Sequence, residues 1–142
     1  MSKNYDSLIK GGTLATHEGA ELVDIAIKDG QFAALDRFSD SEAGELADEV
    51  IDATGLTILP GVIDTQVHFR EPGLGAKEDL ESGSRAAVMG GVTAVFEMPN
   101  TKPPTTTAEA VAEKVALGQD RMHCDFAFYV GGTPDNAETL PD

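Results

Sequence analysis

Leu59-Pro-Gly-Val-Ile-Asp-Thr-Gln-Val-His-Phe-Arg-Glu-Pro-Gly73 sets polar side chains at every second position of a stretch that otherwise reads as a β-strand. Alternate residues of a strand share a face, so Asp64, Gln66, His68 and Arg70 are expected on one side and Ile63, Thr65, Val67 and Phe69 on the other. If the mostly apolar set packs against helices, the polar set projects inward, where a barrel normally holds Val, Ile and Leu. A single histidine on a strand is more often a hydrogen-bonded structural residue than a ligand. The file of Asp, Gln, His and Arg reverses that preference and marks a functional site.

A second polar segment, Glu97-Met-Pro-Asn-Thr-Lys-Pro-Pro104, follows the next apolar run. Sites in α/β folds lie at the C-terminal ends of strands, so Arg70 and Asn100, each at such an end, can face one ligand. An arginine fork with one amide donor suits a carboxylate. Taken alone, Asn100 reads more readily as a turn residue after Pro99. Lys77-Glu78-Asp79 is expected to cap the following helix rather than to form part of a loop over the site, since an acidic first turn complements the helix dipole, and Glu71, next to Arg70, to point away from the shared face. His17 belongs to a solvent-exposed loop. His123-Cys124-Asp125, at the entrance to a buried strand, reads as packing and edge chemistry rather than as a metal or nucleophile site.

The elements that must position these groups follow from periodicity. Residues 5–14 and 22–35 read as strands, with Asp29-Gly30 as a two-residue hairpin turn. The acids Asp36, Asp40, Glu42, Glu45, Asp48, Glu49 and Asp52 face only Arg37 in opposition, and this stretch is expected to be a solvated loop. From residue 62 the pattern becomes strand 62–69, helix 80–89 closed by Gly90-Gly91, strand 92–98, helix 108–117 and strand 124–130. Nearly continuous apolar strands in βαβαβ order predict a parallel sheet covered by helices, as in a TIM barrel or a doubly wound fold.

The chain has 142 residues, against about 250 for a typical TIM barrel, and an N-terminal fragment is expected. Its 25 acids against 10 bases give a net charge of −15, which disfavours nucleic acid and anionic membrane surfaces as partners. One cysteine allows no internal disulfide, and no apolar run approaches the roughly 18 residues of a spanning helix. A cytoplasmic location is the expectation.

The run Leu-Pro-Gly-Val-Ile-Asp-x-x-Val-His-Phe-Arg-Glu-Pro-Gly, the helical stretch Glu81-Ser-Gly-Ser-Arg-Ala-Ala-Val-Met-Gly-Gly-Val-Thr93 and Glu-Met-Pro-Asn-Thr resemble the N-terminal part of a dihydroorotase of the amidohydrolase superfamily. Related allantoinases and hydantoinases keep the Pro-Gly-x-Ile-Asp opening but usually lack the arginine. The resemblance implies a small β-rich domain over residues 1–59, part of a composite β-sandwich, and the first βα units of a metal-dependent TIM barrel over residues 60–142, truncated. It implies His68 as a ligand to zinc, one or two ions, with Arg70 and Asn100 holding the substrate carboxylate. The remaining ligands and the catalytic aspartate are expected beyond residue 142.

The family pattern at the first strand end is His-x-His, where this chain has Gln66-Val67-His68. A neutral amide oxygen is a poorer zinc ligand than imidazole. Gln66 therefore reads as a weak ligand, as a group supporting the ligands, or as the mark of a degenerate site. The expectation is a cyclic amidohydrolase interconverting dihydroorotate and N-carbamoyl-L-aspartate in pyrimidine biosynthesis, a homo-oligomer acting on a small molecule. The alternatives are a silent subunit scaffolding aspartate transcarbamoylase, or an amidohydrolase for another cyclic ureide such as allantoin or a hydantoin.

Overall fold

The computed structural model describes residues 3–138 and 140, and the chain divides into two compact units, Met1–Pro60 and Gly61–Asp142. The first unit is built from β1 (Tyr5–Lys10), β2 (Thr13–Thr16), β3 (Gly19–Leu22), β4 (Asp24–Lys28), β5 (Gln31–Asp36), helix α1 (Asp40–Leu46), β6 (Ala47–Asp52) and the short β7 (Thr57–Ile58). These form a four-stranded sheet in the order β5-β4-β1-β6 and a three-stranded sheet in the order β3-β2-β7. The predicted hairpin is present: β4 and β5 are antiparallel, and both turn residues have positive φ, 51° at Asp29 and 71° at Gly30, as the tight primed turn requires. Residues 5–14, read as one strand, break at Gly11-Gly12 into β1 and β2, and β3 was not foreseen.

The acidic stretch needs correction. Residues 36–52 are not a loop: Ser39 and Glu42 form a reciprocal capping box that starts α1, and β6 then pairs in parallel with β1. Ala43 and Ala47 are buried with Leu8 and Ala26, while most of the acids face water. The run is solvated on one side and folded nonetheless.

The second unit contains β8 (Val62–Val67), α2 (Leu80–Met89), β9 (Val92–Glu97), α3 (Ala108–Gly118) and β10 (Asp125–Phe128), within two residues of the predicted boundaries at most ends. The three strands pair in parallel in the order β10-β9-β8. Phe69, Leu80 and Val95 form the core, with Val67, Phe126 and Phe128 packed against it. Asp79 caps α2, its carboxylate accepting from Ser82 N at 2.8 Å, and Thr107 caps α3. Small residues on α2 let it approach the sheet closely: a Cβ at Gly83 would collide with the Phe69 ring. Among the described residues no helix is long and apolar enough to cross a membrane.

Candidate active site

β8 does not carry its polar residues as a regular file. The strand ends at Val67, before His68 and Arg70, and its register against β9 shifts between Asp64 and Val67. Asp64 turns back on its own chain, its carboxylate accepting from Gln66 N at 2.9 Å. Gln66 is exposed and lines a shallow cleft of about 350 Å³ with Thr65, Met98 and Tyr129.

His68 lies just past the strand end, where Met98 N donates to Val67 O at 3.0 Å and ties β8 to the residue after β9. The His68 Nδ1 is 2.9 Å from Asn100 Oδ1. With the amide oxygen as acceptor, Nδ1 carries the proton and Nε2 keeps its lone pair, the form a metal ligand takes. Structure thus brings together two residues that the sequence assigned to separate tasks. The bond engages the Asn100 oxygen alone, so the amide NH₂ expected to work with Arg70 on a carboxylate is not spent on it.

Arg70 is half-buried and has φ of 65°, a left-handed conformation unusual for a residue with a side chain. Its carbonyl accepts from Leu74 N at 2.9 Å, which fixes the tight turn. Among the described residues its guanidinium has no hydrogen-bond or ion-pair partner. The next residue is committed to the framework: Glu71 accepts from Leu80 N and takes a two-pronged contact from Arg121, each at 3.0 Å. Arg121 beside it and the Leu80 amide hold the Glu71 carboxyl below the usual range, although partial burial opposes them. The loop after Arg70 is locked to the loop after β9, since Lys102 N donates to Pro72 O and a side chain at Gly73, with φ of 90°, would overlap the Lys102 carbonyl.

Sequence reasoning missed the ion pair behind these loops. Lys114 of α3 and Glu97 at the end of β9 are each 1% exposed, with Nζ 2.7 Å from Oε2. The contact is close but poorly angled, so neither partner has a well-formed hydrogen bond among the described residues. Nζ also lies 4.9 Å from the centre of the Phe128 ring. Burial pushes the Glu97 carboxyl up, against the pull of Lys114 and of the Phe69 backbone N–H. The signal was faint, since Lys114 shares α3 with Glu109 and Glu113 and Glu97 merely closes the apolar run of β9. Elsewhere, His123 Nε2 lies 3.1 Å from Glu81 Oε1, and burial with Asp125 nearby raises the Cys124 thiol.

As a metal centre, these residues are incomplete. His68 is a fit ligand and Gln66 a poor one, and among the described residues no cluster of three His, Cys, Asp or Glu could hold an ion. The donors present make one corner of such a site.

Residues 57–136 match the amidohydrolase family, and the chain belongs to that family. It is 43% identical over 131 residues to an allantoinase of Rubrobacter xylanophilus, covering 92% of this chain and 28% of that protein. An L-hydantoinase of Paenarthrobacter aurescens is 40% identical over 134 residues, 93% of this chain and 28% of that protein. The solved L-hydantoinase (dihydropyrimidinase) from Arthrobacter aurescens superposes with a TM-score of 0.86 at 38% identity, over 93% of this chain and 29% of that one. The chain thus spans less than a third of the length of the relatives it matches. The fold is that of the TIM-barrel amidohydrolases, with a β-rich portion preceding the βα units, rather than a doubly wound sheet.

These relatives overturn the dihydroorotase expectation. Proteins named allantoinase and L-hydantoinase match at 38–43% identity over more than nine-tenths of the chain. The preference had rested on reading Arg70 and Asn100 as a carboxylate clamp peculiar to dihydroorotases, and the names of these relatives favour another cyclic ureide. The role in pyrimidine biosynthesis and the transcarbamoylase partner depended on that assignment and fall with it.

Proposed function

We propose that the protein carrying this chain hydrolyses a ring amide of a cyclic ureide, allantoin or a hydantoin. The observation that carries this reading is the 38–43% identity to allantoinases and an L-hydantoinase over nearly the whole chain. His68, its tautomer set by Asn100, offers Nε2 as one ligand to a divalent metal, zinc, and the exposed Gln66 amide oxygen is a weaker neighbouring donor. Such an ion, when bound, polarises the amide carbonyl and acidifies water.

Hydrolysis of the ring amide adds water across the C–N bond and leaves a carboxylate on one fragment end and a ureido NH₂ on the other. Arg70, whose guanidinium has no partner among the described residues, is the group available to meet the negative charge that develops on that carboxylate. A charged hydrogen bond of this kind contributes about 1.5–3 kcal/mol.

The test is turnover by the protein purified with zinc, on allantoin, on 5-substituted hydantoins and on dihydroorotate as the control. We expect at least one ureide to be hydrolysed tenfold faster than dihydroorotate. Activity confined to dihydroorotate, or absent on all three, would sink the proposal. Gln66→His should tighten zinc binding if Gln66 lies beside the ion, since imidazole replaces an amide oxygen.

A further inference from the structure

The Glu97 backbone is where three strands are stitched together. Its carbonyl accepts from Tyr129 N, just after β10, at 3.0 Å, and the next amide, Met98 N, donates to Val67 O at the end of β8. His68 follows Val67 directly, and Asn100 lies three residues beyond Glu97. The Glu97 side chain leaves this junction on the helix side of the sheet and meets Lys114 on α3 at 2.7 Å. Neither group faces the cleft beside Gln66, so neither touches a substrate bound there.

An apolar pair of similar volume would hold α3 on the sheet as well or better, because two charges lose their water on burial and recover it only through good geometry. An apolar contact slides, whereas a short ion pair capped by the Phe128 ring fixes where along β9 the helix sits. The segment that needs fixing is short: Thr101 and Thr105 bury their hydroxyls against each other at 3.2 Å, and both amides return to Pro99 O at 2.9 Å. Asn100 is thus held between a knotted turn on one side and Glu97 on the other.

We infer that Glu97 and Lys114 are positioning residues, whose buried ion pair fixes the C-terminal ends of β8 and β9 against α3 and thereby keeps Asn100 in bonding register with the His68 imidazole. The inference rests on the proposed role of His68 as a metal ligand.

The experiment compares the whole protein with its Glu97→Gln/Lys114→Met double variant, which removes both charges while keeping volume and an oxygen near the Phe69 amide. Three quantities are read: thermal midpoint, the rate at which a chelator withdraws zinc, and kcat and KM on the ureide that the native protein turns over. We expect a folded variant with a nearly native midpoint, zinc withdrawn at least about tenfold faster, and kcat down by a similar factor with KM little changed. A folded variant with native zinc release and native kcat would overturn the inference, as would a wild-type protein that takes up no zinc. If the double variant fails to fold, Glu97→Gln/Lys114→Leu, which again removes both charges, gives the same reading, and a lowered midpoint with native zinc release again overturns it. Zinc release needs no substrate, so a native protein that hydrolyses neither ureide would defeat the substrate proposal and leave this one to be decided by the chelator.

Discussion

Asp24 in the first unit and Glu97 in the second are both 1% exposed, yet their carboxyl groups shift in opposite directions. Burial acts first on each and raises both. Asp24 then receives backbone hydrogen bonds from Phe38 N at 3.0 Å and Gly11 N at 2.8 Å, with Lys10 3.6 Å away, and ends below the ordinary range. Glu97 has chiefly Lys114, and ends above it. The number of aligned donors, rather than burial or the presence of a cation, decides the sign. In the first unit a buried charge closes the backbone accounts of a sheet corner. In the second it holds two strand ends in place beside groups that remain available for chemistry.

The largest effect expected from breaking this contrast is that of Lys114→Met alone, which strands Glu97 as an uncompensated buried charge. At neutral pH it should cost about 3–5 kcal/mol in the urea midpoint. Because the folded-state pKa of Glu97 is raised, its favourable contribution is fully present below the unfolded value of about 4.3 and is lost as pH rises through the folded value. The damage should therefore shrink on acidification, and a loss independent of pH would show that Glu97 is not the group responsible.

Asp24→Ala should come next, at about 1–3 kcal/mol in all, because the Gly11 and Phe38 amides that lose their acceptor are only partly buried and water replaces some of it. Here the folded pKa is depressed, so the stability is present above about 3.9 and lost as pH falls through the folded value. Wild type and variant should converge in stability in strong acid. Parallel curves down to the lowest pH would contradict the account.

How much of this could be read beforehand differs between the two units. Leu80–Met89 and Ala108–Gly118 were legible because Gly90-Gly91 closes the first and because both alternate with apolar strand runs; the Thr107 cap of the second was not used. The stretch 36–52 was not, because a density of acids reports contact with water and says nothing of backbone conformation. Ser39-Asp-Ser-Glu42 carried the capping-box signal, and it was not read. At the site, His68, Arg70 and Asn100 were recognisable by type. Their division of labour was not, since the His68–Asn100 bond spans two strand ends whose loops must first be locked by Gly73 and Lys102. The shift of register before Val67 likewise depends on pairing with β9 and leaves no trace in the spacing of β8.

A smaller effect tests the front of the site. Asn100→Ala removes the acceptor for His68 Nδ1 and should weaken zinc binding by about 10–100-fold, read by chelator competition, with little change in the thermal midpoint because Asn100 is exposed. Unaltered affinity would mean that the imidazole needs no such support. Smallest of all should be Arg121→Met, which takes the half-exposed cation from Glu71 but leaves the Leu80 amide in place. A loss of at most about 1 kcal/mol is expected, screened further by salt, and a larger one would move the Arg70 turn into the class of Glu97.

The parallel pairing of β1 with β6 also bears on how the chain is made. Tyr5 waits for Ala47 as its neighbour, and Lys10 for Asp52. At a synthesis rate of roughly 5–20 residues per second, one edge of the strand carrying Leu8 stays open for about 2–8 s after it has been polymerised. The β4–β5 hairpin, closed by its two-residue turn within microseconds once available, covers the opposite edge first. Birth order thus makes the acidic segment the latch of its sheet, and its charge keeps that late-arriving piece in solution until the slot beside β1 is ready.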